Sequence, residues 1–354
     1  SIKKHDFSLL AGFTSQTTKI RNQQTTGIDF PSDDIRTLNS AAQIDKSGTT
    51  GTNNQIGLIS YLGRVNYAYD DKYLISASFR TDGSSYFAKG NKWGQFPSIS
   101  GGWVLSKEKL FSKIDWLSNL KLRKSYGVSG NNRIVDFAFL DLLYGANYNY
   151  GSGTGVTTPG LVSSSSYLSN PNITWESTKQ DNFGVDLALF SNKVSITLDI
   201  YKSVTDRLLL QQSAMAFTGV PQFWNNLGKL ENKGFEFVLN TQNTVGAFKW
   251  NTSFNIALNQ GKVNDIQGQV IEGGVSSMNR VVEGYPIGVF FTPEYAGVDP
   301  TNGDALFFKN TKNADGSLDR TTTNNYNEAQ RIVAGDPNPD VIFGLTNNFS
   351  FKGF

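Results

Sequence analysis

The chain has 354 residues, enough for one large domain or two smaller ones. A net charge of +2 builds no field that would favour nucleic acid. The absence of cysteine excludes a disulfide framework, a Cys-based zinc site and a thiol nucleophile. No run of about 18 apolar residues is present, so no membrane helix is expected. Charged residues make up 18%, below the roughly 25% usual for soluble domains. Abundant aromatics and glycine suit many strands joined by polar loops and suit helices poorly.

Period-two segments dominate from the start. SIKKHDFSLLAGF already reads as a strand, so the chain is expected to begin inside a longer protein. Phe7, Leu9, Ala11 and Phe13 share one face there. In 57–69, Tyr61, Val65, Tyr67 and Tyr69 align; in 72–80, Tyr73, Ile75, Ala77 and Phe79 oppose Ser76, Ser78 and Arg80. Residues 96–106 place Ile99, Trp103 and Leu105 together, and 120–128 set Leu120, Leu122, Tyr126 and Val128 against Lys121, Arg123 and Ser125. Further on, Phe183, Val185, Leu187 and Leu189 oppose Asn182 and Asp186. Val194, Ile196, Leu198 and Ile200 oppose Thr197, Asp199 and Tyr201. Phe235, Phe237 and Leu239 oppose Glu236. Residues 248–259 and 341–351 alternate in the same way. This makes about ten strands of about ten residues, longer than usual in globular sheets.

The connections alternate. Segments 15–54, 81–95, 129–180, 204–232 and 260–340 are long, whereas Asp70-Asp71, 191–193 and 243–246 are tight and 106–118 is intermediate. All the short ones therefore fall at one end of the sheet. Strands hidden in the long segments would have to come in pairs to keep this order. Short turns at one end and long loops at the other are the pattern of an outer-membrane barrel, and ten-residue strands match a tilted crossing of the hydrocarbon. A soluble β-sandwich or propeller also alternates, and the pattern alone leaves both open. One observation separates them. A barrel requires Tyr73, Ile75, Phe79, Val194, Ile196, Leu198, Phe235 and Phe237 to lie on one continuous, uncovered surface.

The motifs are more specific than the pattern. YLGRVNYAYDDKYLISASFRTDGSSYF (61–87) and WGQFPSISGGW (93–103) resemble a hallmark stretch of SusC/RagA-like TonB-dependent transporters of Bacteroidota. In the same order follow LKLRKSYGVSGNN (120–132), NPNITWESTKQDNFGVD (170–186), NNLGKLENKGFEF (225–237) and GDPNPDVIFGLTNNFSF (335–351). The resemblance runs from about residue 55 almost to the end. It implies an all-β fold: an antiparallel transmembrane β-barrel of the large, 22-stranded type, with short periplasmic turns and long extracellular loops. Residues 1–354 are then one domain, a barrel portion expected to be truncated at both ends and lacking the plug and TonB box.

The function implied is TonB-dependent import of glycans or peptides through the outer membrane of a Gram-negative cell. The implied partners are a SusD-like surface lipoprotein, TonB acting through the missing N-terminal part, the lipid bilayer, and an oligosaccharide or peptide substrate. No nucleic acid, cofactor or metal is expected. The alternative is a soluble β-rich carbohydrate-binding or adhesion module.

Catalysis finds little support. The single His5 forms no triad, and acid–base work would fall to Asp186, Asp199 and Glu236, which share the polar face but are not shown by sequence to meet. DPTNGD (299–304) reads as a turn, not a calcium loop. Loop aromatics are the candidate substrate contacts, because their faces stack on sugar rings. They are Trp224 and Phe223 in VPQFWNN, Tyr148, Tyr150 and Tyr86, with Trp224 foremost.

Overall fold

A computed structural model of the chain describes residues 4–352, apart from 36, 112, 150–156, 164–167 and 274–276. Ten strands form one antiparallel sheet in which every neighbour in space is the next wall strand in sequence. They are numbered here β1 His5–Ile28, β2 Gln43–Tyr69, β3 Tyr73–Ser84, β4 Trp93–Val104, β5 Leu117–Asn131, β6 Glu176–Leu189, β7 Val194–Asp206, β8 Lys229–Val245, β9 Phe248–Asp265 and β10 Val341–Phe351. Each of the ten runs of alternating residues is one of these strands.

The register carries the two faces across the whole sheet, since directly opposed residues share a face. Leu9 opposes Val65, Val65 opposes Ala77, Ala77 opposes Ile99, and Ile99 opposes Tyr126. On the other half, Val185, Leu198, Phe237, Ile256 and Phe343 follow one another in the same way. Tyr73, Ile75 and Phe79 are exposed. Val194, Ile196, Leu198, Phe235 and Phe237 are half-buried; the last four have apolar neighbours on both sides, and Val194 lies between Leu189 and Thr241. Among the described residues no second sheet or helix covers this surface. The opposite face is polar and self-bonded. Ser76 donates to Asn66 at 2.7 Å, the Ser78 and Ser98 hydroxyls are 2.7 Å apart, and Arg80 binds both Asp82 and Ser60.

Aromatic residues border the apolar band at both ends. Near the short turns, Tyr69, Tyr73 and Trp103 stack in sequence, and Trp250 stacks on Phe349. His5 joins this belt through Tyr67 and Tyr69. Toward the long loops, Phe13 tilts against Tyr61, and Tyr61 stacks on Trp93. Tyr73 pairs with Trp103 and Gly83 with Trp93, so the belts lie ten residues apart on β3. That is about 33 Å of strand at ~3.3 Å per residue, or about 25 Å across a layer at a tilt of roughly 40°, the height of a lipid-facing band.

The turns explain themselves locally. Asp70 and Asp71 both adopt positive φ (55° and 49°), the mirror-image turn that matches strand twist and that Asp tolerates. The intermediate 106–118 connection contains a 3-10 turn at Leu105–Lys107. Three expectations need correction. Segment 15–54 is not a long loop: β1 and β2 pair continuously out to Gln24–Thr50 and, after a bulge, to Ile28–Gln43. This part of the hairpin has two wet faces, so the apolar alternation that marks a strand disappears while its backbone ladder continues. Segment 81–95 likewise shrinks to 85–92. Strands within 132–175 and 207–228 do come as pairs, Leu143–Asn149 with Thr157–Ser163 and Leu209–Ser213 with Gln222–Asn226. Segment 266–340, however, holds small sheets of four and three strands. These do not join the wall, so the pairing rule does not bind them.

One matched pair of variants tests the two faces. Ala77→Arg, placing a charge at mid-band, is expected to cost roughly 2–4 kcal/mol. Ser78→Arg, one residue on, loses only its link to Ser98, about 1 kcal/mol. Urea titration of the heat-modifiable form of the full-length protein reads the difference. Equal stabilities would reverse the assignment of faces.

Candidate functional site

The long loops at one end of the sheet are bound together by a core of their own. Phe87, Ile173, Trp175 and Leu209 are buried against each other, with Tyr86, Phe96, Ile134, Phe139 and Trp224 packed around them. The Trp175 ring meets Phe87 at 5.5 Å and Phe96 edge-on at 5.2 Å, and its indole N–H donates to the Lys92 carbonyl at 2.8 Å. The core thus joins the β3–β4 connection, the segment before β6 and the strand after β7.

Asparagines lock this core from outside. Asn226 Oδ1 accepts from the Thr174 amide at 2.7 Å, and Asn226 Nδ2 donates to the Thr174 carbonyl at 2.8 Å. One side chain here imitates a strand neighbour. Asn170 Nδ2 donates to the Trp224 carbonyl at 2.8 Å, while its Oδ1 accepts from the Asn172 amide. Glu176 accepts from Asn131 and from the Leu209 amide. Asn132 donates to Ser84, and Ser85 accepts from the Gly57 amide. NPNITWE, GNN and DGSS therefore act as clamps between loops. Sequence reading quoted these motifs without finding that role, because it depends on contacts 28 to 83 residues away along the chain.

The five candidate contacts fall in different places. Tyr86 and Trp224 meet at the loop core. Burial pushes the Tyr86 phenol up from its ordinary pKa, helped by the adjoining Asp136 carboxylate. The Trp224 indole nitrogen is buried with no acceptor among the described residues. Phe223, half-buried on the same strand, opposes Gln212 and bridges to Leu168. Tyr148 lies opposite Thr158 on the Leu143–Asn149 strand, and its side chain is outside the described parts. Tyr150 lies outside the described residues altogether.

Of the three acids on the polar face, Asp186 and Asp199 share one cation, and Glu236 on β8 lies directly opposite Asp199. Arg123 on β5 grips Asp186 at 2.8 and 3.0 Å and Asp199 at 3.0 and 3.2 Å. Sequence reading missed the arginine that joins them. Gly184 lies beneath the guanidinium, and a Cβ there would sit 2.6 Å from Arg123 Cζ. Four hydrogen bonds tie both carboxylates to one cation, so they brace β5, β6 and β7 and do not form a free acid–base pair. Asp299 is spent on a turn, accepting from the Thr301 amide and hydroxyl. Among the described residues no cluster of three or more His, Asp or Glu is placed to hold a metal.

These features are those of a membrane barrel wall carrying braced loops. A family model described as TonB dependent receptor-like, beta-barrel, matches residues 3–340. The chain belongs to this family of outer-membrane receptors. It is 32% identical to TonB-dependent receptor P39 of Formosa agariphila over 99% of its own length and 37% of that protein. It is 31% identical to TonB-dependent receptor SusC of Bacteroides thetaiotaomicron, over 84% of the chain and 30% of SusC. Among solved structures, the RagAB peptide transporter aligns with a TM-score of 0.84 at 24% identity, covering 99% of this chain and 38% of that one. The chain thus spans about a third of the length of such relatives. The fold is the all-β antiparallel barrel type, and its setting is the outer membrane.

Two predictions follow from the ion pairs. Arg123→Leu would leave two carboxylates facing each other and is expected to destabilise the wall by roughly 2 kcal/mol. Adding Asp186→Asn and Asp199→Asn should restore most of that in the same urea titration. In the 266–340 loops, Arg320 holds Glu294 through two bonds of 2.6 and 2.8 Å and lies 3.8 Å over Phe308. Arg320 holds the Glu294 carboxyl below its ordinary 4.5, with Asn310 assisting. A depressed pKa means that its contribution is complete above that ordinary value and is lost as pH falls through the lowered one. Proteolytic nicking of 299–323 should be flat from pH 8 to 5 and rise only in stronger acid. Arg320→Gln should abolish that step.

Proposed function

We propose that the chain forms part of the wall and the extracellular loops of a TonB-dependent importer of oligosaccharides or peptides. The observation that carries this reading is the pair of faces on ten consecutive strands. One is apolar, uncovered and bordered by aromatic belts, and the other is polar and hydrogen-bonded. A soluble glycan-binding module would bury the first face. On this reading the wall does no covalent chemistry. Further strands of the longer protein pair with the free edges of β1 and β10, TonB acts through a segment outside this chain, and a SusD-like lipoprotein covers the loop end. RagAB is a peptide transporter, and the name SusC points to no substrate, so both substrate classes stand.

Within the loops, Trp224 is the residue proposed to meet substrate. Its buried, unanswered N–H would donate to a sugar hydroxyl or a peptide carbonyl reaching the loop core. Phe223, Tyr86, Tyr148 and Tyr150 would line the approach.

The test is uptake of fluorescent oligosaccharides and peptides by a deletion strain complemented with the full-length gene, with and without TonB. Uptake of one class, lost without TonB, is expected. Uptake unaffected by deleting either gene would sink the reading. Trp224→Phe removes the N–H together with the five-membered ring and should weaken substrate affinity at least about fivefold, the effect of one hydrogen bond. Unchanged affinity would remove Trp224 from the site.

A further inference from the structure

The apolar face does not stay apolar up to the loops. Phe183, Ile200, Phe235 and Leu258 oppose one another in one row, which continues to Lys124 on β5. Two residues nearer the long loops, the row reads Asp181, Lys202, Lys233. Here the outward surface becomes charged over four strands. Lys124 pairs with Asp181. Lys202 and Lys233 share Glu231 at 2.9 and 2.8 Å, and Lys179 and Lys229 share Asp206 at 3.2 and 3.7 Å. Five lysines, each about half exposed, thus serve three carboxylates, and one further acid, Asp340, lies nearby.

Below the lysines the surface is hollow, with a volume of about 610 Å³. Its floor is Phe183, Ile200, Phe235 and Leu258, and Lys124, Lys202 and Lys233 stand at its rim. Gly234 lies in its wall, and its lack of a side chain serves the other face of the sheet. Tyr201 occupies the opposite face of the sheet so closely that a Cβ at 234 would lie 2.3 Å from its ring.

We infer that this hollow holds one phosphorylated lipid of the outer leaflet, its acyl chain on the apolar floor and its phosphate among Lys124, Lys202 and Lys233. The depth is right, since the row marks the top of the apolar band at the end that faces out of the cell. Lysine stems lie along apolar surface while their ammonium groups reach the headgroup layer. The shared carboxylates hold the lysines in place; Lys124, Lys202 and Lys233 are matched by Asp181, Glu231 and Asp340, and the one positive charge in excess belongs to the whole cluster of five lysines and four acids. Inorganic phosphate alone would gain nothing from the floor. The inference does not depend on what the barrel carries.

Native mass spectrometry of the purified full-length protein tests it, with monophosphoryl lipid A, the same lipid without phosphate, and inorganic phosphate as probes. One tightly retained monophosphoryl lipid is expected. Lys202→Gln/Lys233→Gln should weaken it at least tenfold, while Lys202→Arg/Lys233→Arg should keep it. Ile200→Ser should weaken the lipid without changing phosphate binding. Lys19→Gln, far along β1, should change nothing. Heat-modifiability confirms that each variant is folded. Equal retention by the Gln pair, equal binding of the dephosphorylated lipid, or loss of a dimer in place of a lipid would each overturn the assignment.

Discussion

Everything in this wall depends on one constraint: a backbone crossing hydrocarbon must satisfy its N–H and C=O groups with a neighbouring strand. Once the ladder is fixed, side chains have only two directions, and period-two alternation becomes compulsory. The registers across β1 to β10, shifted only near strand ends, are that constraint made visible. They also explain why a slip of one residue is forbidden here, since it would turn every Ile and Phe inward and every Ser and Asn toward lipid.

The constraint ends where the hydrocarbon ends, and the packing logic changes there. Above the Phe13–Tyr61–Trp93 belt, water is present on both sides, so strands no longer need an apolar face. The loops meet this with a miniature interior around Trp175 and with amide side chains standing in for ladder partners. The double bond between Asn226 and the Thr174 backbone is the clearest instance. Rigid loops suit recognition, because side chains held before a ligand arrives need not be ordered by it. Tyr86 and Trp224 are held in this way.

The same change of medium decides what could be read from sequence. Inside the hydrocarbon, alternation reports the strand, its face and its neighbours, which is why all ten wall strands and their tight turns were legible. In 15–28 and 43–54 the ladder continues with polar residues on both faces, and the alternation that identifies a strand carries no information. The loop core was invisible for another reason. Phe87, Ile173, Trp175 and Leu209 come from three separate connections, and their meeting depends on the wall bringing those connections to one end. The alternation of 120–128 puts Arg123 on the polar face, yet its joining of Asp186 to Asp199 depends on the β5–β6–β7 register.

Charge placement follows from the same geometry. At mid-depth, charged groups face the polar side and are closed on one another, as Arg123 is with two aspartates. On the outward side no such group interrupts the rows from Leu9 to Tyr126 or from Val185 to Phe343, because a lone charge facing lipid has nothing to pay for its desolvation. Outward charge returns at Lys124 and thickens toward the loops, where the stems can rest on apolar side chains and the ammonium groups reach headgroups and water. Shared carboxylates at Glu231 and Asp206 keep these lysines standing in rows instead of dispersing into solvent. A soluble sheet would have no reason to change from apolar to lysine-rich at one depth on several neighbouring strands. The position of that change therefore measures where the membrane stops, independently of the aromatic belts.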